Sequence, residues 1–160
     1  MASNLTLALC EEFPSGFISD LLVKEGFPQP EASDEPIFEN FKAGCAATQY
    51  APSERGRVSY QEAASMPMAA STFVAFHLAK HAPFEAAQGT CYAAIRAILR
   101  YTACDASLHF DIASVPIRRI NGELFLYADD GHFDPETHPN LLNDFDLPYT
   151  MLDKAPSVNE

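Results

Sequence analysis

Residues 115–128 read VPIRRINGELFLYA, which is the clearest local folding signal in the chain. The pair Asn121-Gly122 stands between two runs rich in β-branched and large apolar residues. Both central residues of a type I′ turn need a positive φ, which Asn and Gly adopt most readily. The stretch therefore predicts an antiparallel hairpin over residues 114–128.

The two-residue turn also fixes the register of the predicted hairpin. It places Ile117 opposite Leu126 and Arg118 opposite Phe125. Pro116 cannot donate a hydrogen bond to a neighbouring strand, so we expect its strand at an edge of the sheet.

A further strand is predicted just before the hairpin. Over residues 107–112, the apolar residues at every second position alternate with His109 and Asp111. Alternation with a period of two is typical of a strand with one buried face.

The chain before this strand has mostly helical patterning. Residues 16–25 and 71–81 carry apolar residues at helical spacing, and residues 91–104 form the strongest helical pattern in the chain. These three segments therefore predict helices.

Two other segments give less decisive signals. Ser59 is followed by Glu62 three residues later, which is the spacing of a capping box and predicts the start of a helix there. Residues 5–12 fit either a helix or a short strand, and their periodicity does not decide between the two.

Together these patterns predict one α+β domain over residues 1–160. Its helical N-terminal two-thirds would pack on a small antiparallel sheet, made of the strand near 107–112 and the hairpin 114–128. Residues 27–36 are rich in proline and acids and predict an exposed connector. Residues 129–160 predict an irregular acidic tail.

The net charge of −12 is concentrated at the two ends of the chain. Residues 1–41 and residues 129–160 each carry eight acids and a single lysine, whereas residues 42–128 carry six acids and eight bases. This layout argues against direct contact with nucleic-acid phosphates, which requires clustered bases, and against binding to an anionic membrane surface. No glycine-rich phosphate-binding loop occurs, so we expect no cofactor.

The cysteines and the amino terminus favour a reducing compartment. The amino terminus lacks the basic and apolar regions of a signal peptide, and no apolar stretch is long enough for a transmembrane helix. We therefore expect a cytoplasmic or otherwise intracellular protein with free thiols. No CxxC pair occurs among the four cysteines, which are Cys10, Cys45, Cys91 and Cys104.

One candidate catalytic site centres on Cys91. A cysteine at the start of a helix has a lowered pKa, and papain-like hydrolases combine such a cysteine with a histidine and an acid on a following sheet. The predicted helix and strands bring His109 and Asp129 towards the same end, with His132 as an alternative base. The competing interpretation is a core cysteine that packs as a small apolar residue.

A weaker candidate metal site lies at the beginning of the acidic tail. Its ligands would be His132, Asp134 and His138, a mixture of imidazole and carboxylate that suits zinc or another divalent transition metal. The spacing fits neither a HExxH helix nor a calcium-binding loop, so a solvated acidic loop with two exposed histidines explains the segment better than a metal site.

The basic residues predict one further site. Arg96 and Arg100 are one helical turn apart, and Arg118 and Arg119 follow on the hairpin. This group is suited to binding an acidic partner, or the acidic tail of the chain itself.

The sequence therefore favours a binding protein over an enzyme. We expect a small acidic protein that acts by protein–protein interaction, of the inhibitor, immunity or anti-defence, chaperone or particle-subunit type, with another protein as its partner. The alternative is a papain-like cysteine hydrolase with Cys91 as its nucleophile.

Overall fold

The computed structural model describes residues 3–14, 16–27, 37–40, 45–78, 84–110, 114–127 and 147–154. These residues form one eight-stranded mixed sheet and three helices. The predicted architecture, a helical N-terminal two-thirds on a small antiparallel sheet, is wrong, because four of the eight strands precede residue 79.

The elements alternate along the chain. In order they are β1 (Ser3–Leu9), α1 (Phe17–Lys24), β2 (Ile37–Asn40), β3 (Cys45–Tyr50), α2 (Glu54–Ala64), β4 (Thr72–Leu78), α3 (Phe84–Tyr101), β5 (Ala106–Phe110), β6 (Ser114–Ile120), β7 (Glu123–Tyr127) and β8 (Thr150–Leu152).

The strand order in the sheet is β2-β3-β4-β1-β5-β6-β7-β8. Neighbouring strands are antiparallel except β7 and β8, which are parallel. The first strand of the chain therefore lies inside the sheet, between β4 and β5. The sequence does not decide between helix and strand for residues 5–12, and in the structure residues 5–9 belong to the strand β1.

The two faces of the sheet are covered by different helices. Leu5, Leu7 and Leu9 point to the face that is covered by α1 and α3, which we call the α1/α3 face. Ala8 points to the opposite face and packs with Phe73 on the side of α2, which we call the α2 face. The largest core cluster lies on the α1/α3 face. Besides the leucines of β1 it includes Ile18, Leu22, Val74, Phe76, Ile95, Ile98, Leu108, Ile117 and Leu126.

The predicted helix over residues 71–81 is wrong, because residues 72–78 form β4. β4 reads TFVAFHL, and six of its seven side chains are buried. A strand that is buried on both faces gives an almost continuous apolar run and loses the two-residue alternation by which strands are recognised. Spacing of three and four then occurs within the run and resembles a helix.

The helix boundaries also differ from the predicted ones. α2 begins at Glu54, and its N-terminal cap is Ser53, whose side chain accepts a hydrogen bond of 3.1 Å from the backbone N–H of Gly56. The predicted capping box at Ser59 and Glu62 is therefore wrong, since both residues lie inside the helix. α3 begins at Phe84, directly after Pro83, and continues without interruption through Gly89 into the strong helical pattern that begins at residue 91.

The predicted hairpin is confirmed in position and register. Ile117 pairs with Leu126, and Arg118 pairs with Phe125. Asn121 and Gly122 both have positive φ, at 53° and 81°. The hairpin follows β5, as expected from the alternation at residues 107–112.

β6 is not the edge strand that Pro116 predicts, because β5 and β7 flank it. The register of β5 and β6 shifts between the pair Leu108–Ile117 and the pair Phe110–Ser114. Pro116 lies in this bulge, where the regular ladder needs no donor from it.

The acidic tail is not wholly irregular, because β8 extends the sheet beyond β7. Most of the connector predicted at 27–36 lies outside the described residues, but Phe27 is buried and packs edge-on against Phe76. Among the described residues, no helix combines the length and the apolar character that a membrane crossing requires.

Candidate functional site

The structure distributes the four arginines of the predicted partner-binding group over both sides of the sheet. Arg118 and Arg119 are consecutive residues of β6, so their side chains point to opposite faces. Arg119 lies on the α1/α3 face and Arg118 on the α2 face, as their hydrogen bonds show. The predicted group therefore does not form one basic surface.

Arg119 binds the C-terminal end of α3. Its Nη1 donates to the carbonyl oxygen of Leu99 at 2.6 Å, and its Nε donates to that of Cys104 at 2.8 Å. The residue is only 7% exposed, and within the described part of the chain its Nη2 has no acceptor. The last carbonyls of a helix lack partners inside the helix, and a cation there also interacts favourably with the helix dipole. Arg119 is thus a buried C-terminal cap for α3.

Arg118 does the same for α2 on the other face. Its Nη1 donates to the carbonyl oxygens of Ala64 and Ser65 at 3.2 and 3.5 Å, where α2 ends. Its Nε donates to the hydroxyl of Tyr127 at 2.9 Å, and its guanidinium lies 5.8 Å from the centre of that ring. Both hairpin arginines are therefore engaged inside the chain.

The other two arginines lie on α3, which ends in an exposed aromatic residue. Arg100 is exposed and Arg96 is half-buried, while Tyr101 at the end of α3 is 58% exposed. The ammonium group of Lys24, at the end of α1, lies 5.9 Å from the centre of the Tyr101 ring. We call this region, made of Val23, Lys24, Arg100 and Tyr101, the α1/α3 end surface.

Lys24 and Tyr101 are not among the candidate contacts that the sequence predicts. A usable signal exists for Tyr101, because it lies outside the apolar stripe of the helix, which runs through Ile95, Ile98 and Thr102. An aromatic residue off this stripe is expected at the surface, where tyrosine is a frequent component of protein interfaces.

Cys91 is fully buried, with 0% of its surface exposed. It lies two turns inside α3 rather than at its beginning, so the amide groups of a helix N-terminus do not stabilise its thiolate. A hydrogen bond with Cys45, together with burial, raises the pKa of Cys91 far above that of a free thiol. A nucleophilic cysteine needs the opposite shift.

His109 lies on the other face of the sheet from Cys91. Its Nε2 is 2.8 Å from the hydroxyl oxygen of Ser107, and its ring packs edge-on against Tyr60 of α2. The residue is 1% exposed. The sheet therefore separates the predicted nucleophile from its predicted base.

The remaining predicted site residues lie outside the described residues. These are Asp129, the alternative base His132, and Asp134 and His138 of the predicted metal site. In the parts of the chain that the structure describes, no group of three or more histidine, cysteine, aspartate or glutamate side chains is arranged to hold a metal ion.

Aromatic side chains form a second cluster on the α2 face. The ring of Phe73 contacts both Tyr50 and Tyr60 edge-on, with centroid distances of 5.4 and 4.7 Å. Tyr60 also covers His109, whereas Tyr50 remains substantially exposed at the end of β3. This cluster seals the buried histidine under α2 and leaves one tyrosine at the surface.

The comparisons with known proteins identify a family. A family model described as SitI3-like matches residues 6–137, which include every described helix and strand from α1 to β7 and most of β1. Comparisons with characterised proteins and with solved structures each gave no match. Because the matched region covers well over half of the chain, the protein belongs to the SitI3-like family.

Proposed function

We propose that the protein is a small immunity- or inhibitor-type protein that acts by binding another protein. The observation that carries this proposal is the SitI3-like match over residues 6–137, which points to a protein of this type. The sequence had narrowed the function only to a group of binding roles, and the family favours the immunity or inhibitor role within that group.

The charge distribution supports a partner with a basic surface. The chain carries a net charge of −12, and its excess acids lie in residues 1–41 and 129–160. Complementary charges accelerate the encounter of two proteins and discriminate against wrong partners. We therefore expect the acidic ends to orient the approaching partner and to make the association rate depend on ionic strength.

The α1/α3 end surface is the proposed contact region within the described residues, and its basic side chains would face an acidic patch of the partner, separate from the basic region that attracts the acidic ends. Tyrosine and arginine are the residue types that most often carry binding energy at interfaces, and this surface presents Tyr101 and Arg100 together. Arg96 belongs to the same helix and extends the proposed contact. Arg118 and Arg119 are not included, because Arg119 is buried and Arg118 lies on the α2 face.

The geometry does not favour the cysteine-hydrolase alternative. Cys91 is buried with a raised pKa, and His109 lies across the sheet from it. Cys91 and His109 therefore do not contact each other for proton transfer.

The proposal is tested by isolating the partner and measuring its activity. The immobilised protein is exposed to extract of its source cells at low salt, and the retained proteins are identified by mass spectrometry. Each is then purified and assayed alone and with an excess of this protein. We expect one partner that forms a stoichiometric complex, loses its activity in the complex, and associates more slowly as salt increases.

A retained protein whose activity is unchanged by saturating amounts of this protein would contradict the inhibitory role. Retention of nothing at low salt would contradict the binding role altogether.

A further inference from the structure

Two of the four cysteines lie side by side in the core. Cys45 is the first residue of β3, and Cys91 lies in the middle of α3, 46 positions later in the chain. Both belong to the main core cluster, with exposed fractions of 5% and 0%, and their side chains are in hydrogen-bonding contact. Both sulfurs are free thiols in the structure.

The packing of α3 on β3 explains this proximity. α3 crosses β3 and β4 in direct contact, and the side chains that β3 directs towards it are those of Cys45 and Ala47. Small side chains allow the backbones of a helix and a strand to approach closely, as a disulfide requires of the residues that it joins. Cys45 therefore lies on the side of β3 that faces α3, where its side chain contacts that of Cys91.

We propose that Cys45 and Cys91 form an intramolecular disulfide bond when the protein meets a small-molecule disulfide such as glutathione disulfide. The bond would join β3 near one edge of the sheet to the helix that covers the α1/α3 face. It would convert a non-covalent core contact into a covalent one without a large movement of either element. This inference is independent of the proposed function.

The reaction balances as two successive thiol–disulfide exchanges. The Cys45 thiolate attacks one sulfur of glutathione disulfide, forms a mixed disulfide and releases one glutathione thiolate. In a locally opened state the Cys91 thiol then loses its proton to solvent, and the resulting thiolate attacks the Cys45 sulfur of the mixed disulfide and releases the second glutathione thiolate. Two protein thiols are oxidised and one glutathione disulfide is reduced to two thiols.

The order of the two steps follows from the environments of the thiols. The hydrogen bond from Cys91 lowers the pKa of Cys45, whereas the same contact and burial raise the pKa of Cys91. Cys45 is also the more exposed of the two and begins its strand. Because both are buried, the first step proceeds from a locally opened state and is slow.

The other two cysteines are in different surroundings. Cys10 directs its thiol to the backbone carbonyl of Met68 at 3.6 Å and packs with the cluster on the α2 face. Cys104 packs partly against the main core. Both are more exposed than Cys45 and Cys91, so they form the matched controls for the experiment.

Peptide mapping tests the proposal directly, because trypsin separates the four cysteines. Cleavage after lysine and arginine places Cys45 in the peptide 43–55 and Cys91 in the peptide 81–96. The wild-type protein and a Cys10→Ser/Cys104→Ser variant are incubated with glutathione disulfide near pH 8, alkylated and digested without reduction. We expect a loss of about 2 Da in the intact mass of the variant and a cross-linked pair of these two peptides in both proteins.

The thermal midpoint gives a second readout. A disulfide that closes a loop of this length should raise the midpoint by about 5 to 15 °C, and a reductant should reverse the increase.

Three outcomes would overturn the proposal. They are a glutathione adduct on Cys45 that persists without a cross-link, a cross-link that involves Cys10 or Cys104 in the wild type while 45 and 91 stay reduced, and an unchanged mass after the exposed thiols have reacted. The mapping of the wild type keeps the test valid if the double variant does not fold.

Discussion

Arg118 and Arg119 are adjacent in sequence, yet they stabilise the C-terminal ends of two helices on opposite faces of the sheet. Arg119 donates to the carbonyl oxygens of Leu99 and Cys104, and Arg118 donates to that of Ala64. One strand thus fixes α3 and α2 through two consecutive side chains. The alternation of a β-strand makes this arrangement possible, because consecutive residues face opposite layers.

We expect Arg119→Met to lower the free energy of unfolding by about 2–4 kcal/mol, because two carbonyl oxygens lose their charged donor in a buried site. Arg118→Met should cost less, about 1–2 kcal/mol, since Arg118 is partly exposed and water can replace it. Urea denaturation measures both. Arg55→Met, at an exposed position of α2, is the control and should change stability by less than about 0.5 kcal/mol. Equal stability of Arg119→Met and the control would show that the buried cap is not needed.

The sequence allowed the hairpin to be predicted because its signal is local. Two adjacent residues with positive φ, Asn121 and Gly122, determine both the turn and the register of β6 and β7. The pairing of β1 with β4 and β5 has no such signal. It joins segments about 70 and 100 residues apart, and only the tertiary fold brings them together.

The candidate site could be predicted only in part for the same reason. The sequence places Arg118 opposite Phe125, but it does not reveal that α2 ends beside Arg118 and α3 beside Arg119. The proximity of Cys45 and Cys91 likewise depends on how α3 crosses the sheet. β4, in the interior of the sheet, could not be recognised as a strand because it is buried on both faces and its sequence lacks the two-residue alternation.

Two glycine substitutions should have opposite effects on stability. Gly122 has a φ of 81° in the hairpin turn, and a Cβ there meets no atom within 4 Å. Gly122→Ala should therefore lower the free energy of unfolding by about 1–2 kcal/mol through backbone strain alone. Gly89 lies inside α3 and also has open space around it, so Gly89→Ala should raise stability by about 0.5–1 kcal/mol.

Thermal or urea unfolding of these two variants provides a matched comparison, since each adds the same methyl group to open space. A loss of stability in Gly89→Ala would mean that α3 is not a regular helix at this position. No loss in Gly122→Ala would mean that the turn is not type I′.

The two ends of α2 provide a further prediction. Ser53→Ala removes the hydroxyl that accepts a hydrogen bond from the backbone N–H of Gly56, so it should lower the free energy of unfolding by about 1 kcal/mol. Ser65 ends the helix with a φ of 50°, so Ser65→Gly should stabilise the protein by about 0.5–1 kcal/mol by relieving strain. Chemical denaturation measures whether each variant raises or lowers the free energy of unfolding. A destabilised Ser65→Gly variant would contradict the left-handed conformation at this end of α2.

The reactivity of Cys10 should depend unusually strongly on pH. Burial raises the pKa of its thiol to about 11, with smaller contributions from the charges of Asp105 and Cys104. Only the thiolate reacts with iodoacetamide, so the labelling rate should still rise about tenfold per unit between roughly pH 8 and 10. A thiol with an ordinary pKa of about 8.5 would approach its maximal rate in this range.

Mass spectrometry of the tryptic peptide 1–24 measures this rate for Cys10 alone. Asp105→Asn removes one of the charges that raise the pKa and keeps an oxygen to accept from the backbone N–H of Asn121, so it should increase the rate at a given pH. A wild-type rate that levels off near pH 9 would show that the environment of Cys10 is not as described.

Tyr101 provides the most direct test of the proposed contact surface. It is 58% exposed at the end of α3, so Tyr101→Ala should leave the folded state almost unchanged, apart from losing the contact with Lys24. If the α1/α3 end surface binds the partner protein, this variant should weaken the complex by about 10-fold or more, mainly through faster dissociation.

Tyr50→Ala is the matched control for this measurement. Tyr50 is also an exposed tyrosine, but it lies on the α2 face, where its ring contacts Phe73. Tyr50→Ala should lower the free energy of unfolding modestly and leave the affinity for the partner unchanged. Tyr101→Ala should leave stability almost unchanged and weaken the complex. Surface plasmon resonance with the purified partner measures the affinity of each variant. A loss of affinity in Tyr50→Ala but not in Tyr101→Ala would place the contact on the α2 face instead.

Both variants should keep the salt dependence of the association rate, since the charges of the acidic ends act over a longer range than either tyrosine.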